Sequence, residues 1–283
     1  VKAAIHCSWP LHVPTEFPGP VEIHVDCRKR SPKQPGVFDV LYLCEPEPIL
    51  PAMTAYARGH LQLFDLVVVS TDDLVGVSPK VVPLEFGTSW IPDGAVPPAK
   101  RPGVSMVVGR KRRTEGHRLR HEVWLRQDEI RGPKSFFTSD RGWPRKLEWL
   151  RGCPWLDPLP ANPWGWPALG DSKLPLFETQ FHIAIENCRS RYYFTEKLID
   201  CFLADTVPIY WGCKNIAEFF DASGIIQVET AAELIAACNS TSDAMYGAMA
   251  AARAANQERA LRFVDLGTRL GSLIELSLAS KAS

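Results

Sequence analysis

Residues 181–212, FHIAIENCRSRYYFTEKLIDCFLADTVPIYWG, decide how this chain is read. Residues 181–185 are a short apolar run of strand type, closed by Glu186 and Asn187. A polar loop, 188–193, leads to Thr195, whose hydroxyl can accept from an early helix N–H and so start a helix. Leu198, Ile199, Phe202 and Leu203 recur at helical spacing within 195–204, and 207–211 is strand-like again. Strand, helix and strand in this order predict a βαβ unit with a right-handed crossover. Ligands of open α/β sheets bind beyond the carboxyl ends of the strands. That gathers Glu186, Asn187, Thr195, Glu196 and Lys197 around one crevice. The helix N-terminus offers free N–H groups and the positive end of a dipole, both suited to phosphate. Lys197, a cation in the first turn, fits that dipole best when an anion lies over it. Glu196 is suited to accept from hydroxyls such as those of a ribose.

Working outward, the first half of the chain holds strand-like runs at 3–7, 21–27, 38–44 and 64–70, with a helix expected at 51–60. This alternation predicts an open α/β sheet. Prolines then become dense at 79–83 and 90–103, as in an interdomain linker. The expected domains are therefore 1–97 and 98–283. The second opens with a strand at 104–108, the basic run Arg110, Lys111, Arg112 and Arg113, and a helix near 116–127. Residues 131–175 are rich in Trp, Pro and Gly and read as one long irregular segment. Such a segment is a functional loop, its Trp143, Trp155, Trp164 and Trp166 stacking on sugar faces, or an insertion packed on its own tryptophans. Downstream, a strand is expected at 224–228 and helices at 231–238 and 242–280, the last broken near Gly267 or Gly271.

Composition sets the outer limits. The chain has 283 residues, 46% hydrophobic and 23% charged, which excludes a disordered or collagen-like chain. Lys+Arg and Asp+Glu are both 32, so no globally basic nucleic-acid binder is expected. No apolar run approaches the roughly 18 residues of a membrane span. The opening residues VKAAIH read as a first strand rather than a signal peptide. The expected setting is the cytoplasm, or a membrane reached through parts outside this chain. The eight cysteines show no C-x-x-C spacing and sit mostly in apolar patterns, so buried free thiols and a reducing compartment are expected.

The pattern E-N-x5-Y-x-T-E-K, an apolar helix, then V-P-I-Y-W-G resembles the donor-binding motif of the α1,3/α1,4-fucosyltransferases, glycosyltransferase family 10. The matching residues are Phe181, Glu186, Asn187, Tyr193, Thr195, Glu196, Lys197, Pro208 and Gly212. The resemblance implies two Rossmann-like α/β domains facing across a cleft (the GT-B arrangement). It implies a GDP-sugar donor, most simply GDP-fucose, on the C-terminal domain and a glycan acceptor on the N-terminal one. It also implies inversion at the anomeric carbon with no obligatory cofactor and no metal. Tyr193 would line the donor pocket. Lys197 and an arginine would neutralise the departing diphosphate. Arg120 fits that position best, with Arg118 and Arg110 as rivals. An inverting transfer needs a carboxylate to take the acceptor proton, and Glu45, at the end of the 38–44 strand, is the choice over Glu47.

Three further signals have ordinary readings. His117 and His121 stand i, i+4 without the glutamate of a zinc protease, so no metal is expected there. Asp72-Asp73 reads as a turn. The absence of G-x-G-x-x-G, P-loop and G-x-S-x-G patterns argues against dehydrogenases, P-loop enzymes and the common hydrolase elbow. Transfer from another nucleotide sugar, or glycan or nucleotide binding without turnover, stay open as alternatives.

Overall fold

The computed structural model describes residues 1–92, 94–139 and 162–282. The first part of the chain forms β1 (Ala4–His6), β2 (Val21–Val25), β3 (Phe38–Leu43), α1 (Pro51–Gly59), β4 (Leu66–Val69) and β5 (Val81–Pro83). These five strands are parallel and lie in chain order, β1-β2-β3-β4-β5. β3 and β4 are buried at every residue, as strands of a parallel sheet covered on both faces must be. Alternation sends Val21, Ile23, Val25, Val40, Tyr42 and Val68 to one core, and Leu41, Leu43, Val67 and Val69 to another, with Met53 and Ala57 of α1.

The second sheet begins with β6 (Arg101–Val108), followed by α2 (Glu115–Leu125), β7 (Lys134–Thr138), β8 (Thr179–Ile185), α3 (Glu196–Leu203), β9 (Val207–Trp211) and β10 (Ile226–Gln227). Its order is β10-β9-β8-β6-β7, again parallel. The helices α4 (Ala231–Ser240), α5 (Asp243–Ala248) and α6 (Ala250–Ala260) follow, and α7 (Leu266–Ala282) ends the chain. The expected α/β class with two parallel sheets is therefore found.

Contacts divide the chain into Val1–Thr88, Ser190–Tyr193 and Phe263–Ser283 as one unit, and Ser89–Arg189 with Phe194–Arg262 as the other. Residues 89–97 thus group with the second unit, and two segments beyond 98 group with the first. One is the short 190–193 loop. The other is α7, whose Leu266, Leu270 and Ile274 fill the core of the first sheet.

Other details differ from the sequence reading for identifiable reasons. The prolines at 79–83 conceal edge strand β5, where a terminal proline needs no ladder N–H. β7 lies inside the segment read as irregular. The break expected near Gly267 or Gly271 falls at 261–265, a 3₁₀ turn and loop just before Gly267, and both glycines lie within α7. Glycine is needed at 267 for approach rather than for bending: a Cβ there would collide with the backbone carbonyl of His12.

Trp143, Trp149 and Trp155 lie outside the described residues. Trp164 packs edge-on against Trp124 at 6.1 Å, and its Nε1 donates to Asp128 at 2.8 Å. Trp166 lies 5.8 Å from Phe136 and donates to Gln127 at 2.5 Å. These two half-buried tryptophans pack against the core of the second sheet with satisfied N–H groups, in keeping with the packing alternative. The described cysteines are free thiols, five of them buried. Among the described residues no helix is long and apolar enough to cross a membrane.

Gly267→Ala tests the α7 contact by its sign. Alanine stabilises an unencumbered helix interior by about 1 kcal/mol, whereas overpacking costs about 1–3 kcal/mol. The expected outcome is a lower melting temperature than that of the parent chain.

Candidate functional site

β6 and β8 are neighbours where the strand order reverses: from β6 the chain passes to β7 on one side and returns to β8 on the other. Loops diverge beyond the carboxyl ends of such a pair and leave a crevice suited to ligands. After β6 the chain carries Arg110 to Arg113 and begins α2; after β8 it carries Glu186 and Asn187 and begins α3. Thr114 caps α2 and exchanges hydrogen bonds with His117. Gly116 lets this first turn lie directly on the end of β8. Its N–H donates to Asn187 O at 3.2 Å, and a Cβ would collide with the Glu186 carbonyl.

Glu186 is fully buried. Its carboxylate accepts from Thr195 N at 2.8 Å and from Thr195 Oγ1 at 2.7 Å. Thr195 Oγ1 in turn accepts from Lys197 N at 3.3 Å and from Lys197 Nζ at 3.1 Å. The Lys197 ammonium also lies 3.2 Å from Glu196 Oε1 and 3.7 Å from Glu186 Oε2. Lys173 supplies a second cation, 3.3 Å from Glu196 and 3.5 Å from Asp200. Asp200 accepts from Ser89 Oγ at 2.8 Å and Trp90 N at 3.0 Å.

Burial would raise the pKa of Glu196, but Lys197 and then Lys173 outweigh it and hold the carboxyl at about 2. Burial raises Glu186, and Lys197 offsets this only in part. Burial opposes the charge on Lys197, yet Glu196 and Glu186 outweigh it and raise its pKa. Lys197 is therefore a fixed ammonium at neutral pH, its head anchored on the cap of α3.

Arg120, one turn into α2, donates from Nε to Ile185 O at 3.1 Å and from a terminal nitrogen to Asn187 Oδ1 at 2.6 Å. Its guanidinium thus reaches the end of β8. Arg118 is exposed and bonds the Arg113 carbonyl at 3.3 Å, and Arg110 is half-buried.

In the other unit, Glu45 follows β3 and is half-buried. Tyr193 is buried, and its hydroxyl donates to Glu45 Oε2 at 3.4 Å. Asp26, at φ 48°, accepts from Cys44 N at 3.0 Å and Glu45 N at 3.5 Å. Burial raises its pKa to about 7, with a smaller contribution from the Glu45 charge. Glu47 points elsewhere, with its carboxylate 3.7 Å from Arg58.

The structure thus brings Glu186, Thr195, Glu196 and Lys197 together, joins Arg120 to Asn187, and joins Tyr193 to Glu45. Lys173, Asp200, Gly116 and Asp26 escaped the sequence reading. Asp200 alone left a signal, as an acid on the apolar side of α3. His117 and His121 engage Thr114 and Gly109 O separately. Burial and neighbouring arginines lower both their pKa values, His117 to about 3. Asp72 and Asp73 sit in a turn, bonded to Ser190 and Thr71.

Residues 172–238, which run from before β8 into α4, match the family model described as glycosyltransferase family 10 (fucosyltransferase) C-term. A stretch of 53 residues is 36% identical to the α-(1,3)-fucosyltransferase FucT of Helicobacter pylori. That stretch is 19% of this chain and spans only 11% of the relative. The resemblance read from the 181–212 motif is therefore found independently over this region. Among solved structures, a trehalose-6-phosphate synthase studied for glycosyltransfer with retention superposes with a TM-score of 0.54 at 12% identity, over 94% of this chain and 75% of that one. An α1,3-fucosyltransferase with GDP gives 0.49 at 16% identity, over 83% and 69%. The fold is that of two-unit α/β glycosyltransferases of the GT-B kind.

The depressed Glu196 pKa carries a signed consequence. A carboxyl held below its unfolded value contributes stability above that value and loses it as pH falls through the folded one. Glu196→Gln is expected to be less stable than the parent at pH 7. Urea unfolding should show the difference closing as pH falls from 4.5 towards about 2.

Proposed function

We propose that this chain is an inverting glycosyltransferase that moves fucose from GDP-fucose to a hydroxyl of a glycan. The observation that carries the reading is the coincidence of the family-model match at 172–238 with a lysine and an arginine fixed at the switch point of the second sheet. A breaking bond between sugar and diphosphate builds negative charge on the nucleotide, and preorganised cations lower that barrier without reorganisation. Lys197 and Arg120 fill this role. Asn187 and Glu196 take hydroxyls of the sugar or nucleoside, and Glu186 with Thr195 holds the helix end that presents Lys197. The donor is a substrate, and this chemistry calls for no resident metal or cofactor.

Glu45 takes the proton of the acceptor hydroxyl as its oxygen attacks the anomeric carbon. The Tyr193 hydroxyl and the Asp26-held backbone support its carboxylate. A second reading, retention of configuration, is favoured only by the shared fold of the synthase named above. Fold alone does not fix stereochemistry.

The test is incubation with GDP-fucose and an oligosaccharide panel, with GDP release followed and the new linkage read by NMR. The expected product has the inverted anomeric configuration. Lys197→Ala is expected to abolish transfer with the fold intact. Glu45→Gln is expected to lower kcat by about 10²–10⁴ while GDP affinity stays unchanged. Full activity in Lys197→Ala, or a product with retained configuration, would overturn this mechanism.

A further inference from the structure

His6, Glu22 and His24 form a cluster that the transfer chemistry does not use. The parallel register of β1 and β2 sets His6 directly beside His24. Glu22 precedes His24 by two residues and therefore shares its face of the sheet. The two imidazoles stack at 4.6 Å with planes 9° apart. One ligand atom from each of the three side chains lies within 4.8 Å of the others.

Two features of this cluster suit it to a ligand. His24 is only 4% exposed, and its Nε2 has no hydrogen-bond partner among the described residues. Glu22 Oε2 lies 3.4 Å from that nitrogen, and the His24 ring is held edge-on by Phe64 at 6.2 Å. The local charge also favours a cation. Lys29 is shared between Glu22 at 2.7 Å and Asp39 at 2.5 Å, so two carboxylates face one ammonium. Asp39 lies opposite Glu22 in the β2–β3 register, and its Oδ2 has no partner among the described residues.

We propose that His6, Glu22 and His24 bind a divalent transition-metal ion of the zinc class. Two imidazole nitrogens and one carboxylate oxygen select such an ion over magnesium or calcium, which take oxygen donors. Metal–ligand bonds of about 2.0–2.2 Å bring donor atoms closer than the cluster now stands. The exposed His6 and half-buried Glu22 close that gap by changing rotamer, while His24 stays fixed. Solvent fills the fourth position. The ion ties β1, a three-residue edge strand, to β2, and so stabilises the start of the first sheet. The sequence spacing predicts no metal here, because His6 and Glu22 lie far apart in the chain and only strand register unites them.

The experiment uses the full chain, stripped with EDTA and freed of chelator. It is titrated with zinc, cobalt(II) and magnesium by calorimetry, with visible spectra for cobalt and melting temperatures for each ion. Expected are saturable binding of one zinc per chain, a raised melting temperature, and no response to magnesium. Cobalt should show a nitrogen and oxygen ligand field. His6→Ala, at an exposed position that does not threaten folding, should weaken zinc binding at least about tenfold, as should Glu22→Gln. The proposal is overturned by absent zinc binding or by His6→Ala binding zinc as the parent does. A thiolate-to-cobalt charge-transfer band would also overturn it, by assigning the ion to Cys7 or Cys27.

Discussion

The hydrogen-bonded contact between the Glu186 carboxylate and Thr195 governs the geometry of the second unit. A carboxylate fully buried at the end of a strand is costly unless its lone pairs are used. Here one backbone N–H and one hydroxyl use them, and both belong to the residue that caps α3. The strand end and the helix start are thereby locked together. Gly116 allows α2 to close over the same point. Breaking the contact would leave a buried charge with one lysine 3.7 Å away, which is strongly destabilising.

Lys197 inherits its position from this lock. Its ammonium is held by Thr195 and Glu196, and Lys173 shares Glu196 on the other side. Three carboxylates and two lysines form a network whose charges are nearly balanced. Such a network is rigid, so its cations are already placed when an anion arrives, and that is the condition for electrostatic catalysis. The arrangement also explains why a lysine is tolerated in the first turn of a helix, where the dipole disfavours it. Its partners are carboxylates supplied by β8 and by α3 itself.

Much of this was legible in the sequence because it rests on local patterns. The apolar run 181–185, the helical spacing of Leu198, Ile199 and Phe202, and the cap at Thr195 each have a period or a residue type that reveals them. What was hidden depends on tertiary placement. Amphipathic spacing does not say which sheet a helix covers, so the return of α7 to the first unit was not readable. Prolines masked β5, and an aromatic pair in a tryptophan-rich context masked β7. Glu186 reads as a ligand-facing acid because strand ends are usually open; it is instead buried, with its carboxylate on Thr195 N and Oγ1. Lys173 and Asp26 gave no signal, since each acts on a residue far away in the chain.

The central claim is that the second unit binds a guanine nucleotide through fixed side-chain cations. It is tested most directly by thermal unfolding with GDP, UDP, ADP and CMP in turn, each in EDTA. A ligand at a hundred times its Kd adds about 2.7 kcal/mol, a shift of several degrees for a chain of this size. A rise with GDP and none with the other nucleotides is the predicted result. No rise with GDP, or an equal rise with UDP, would contradict it.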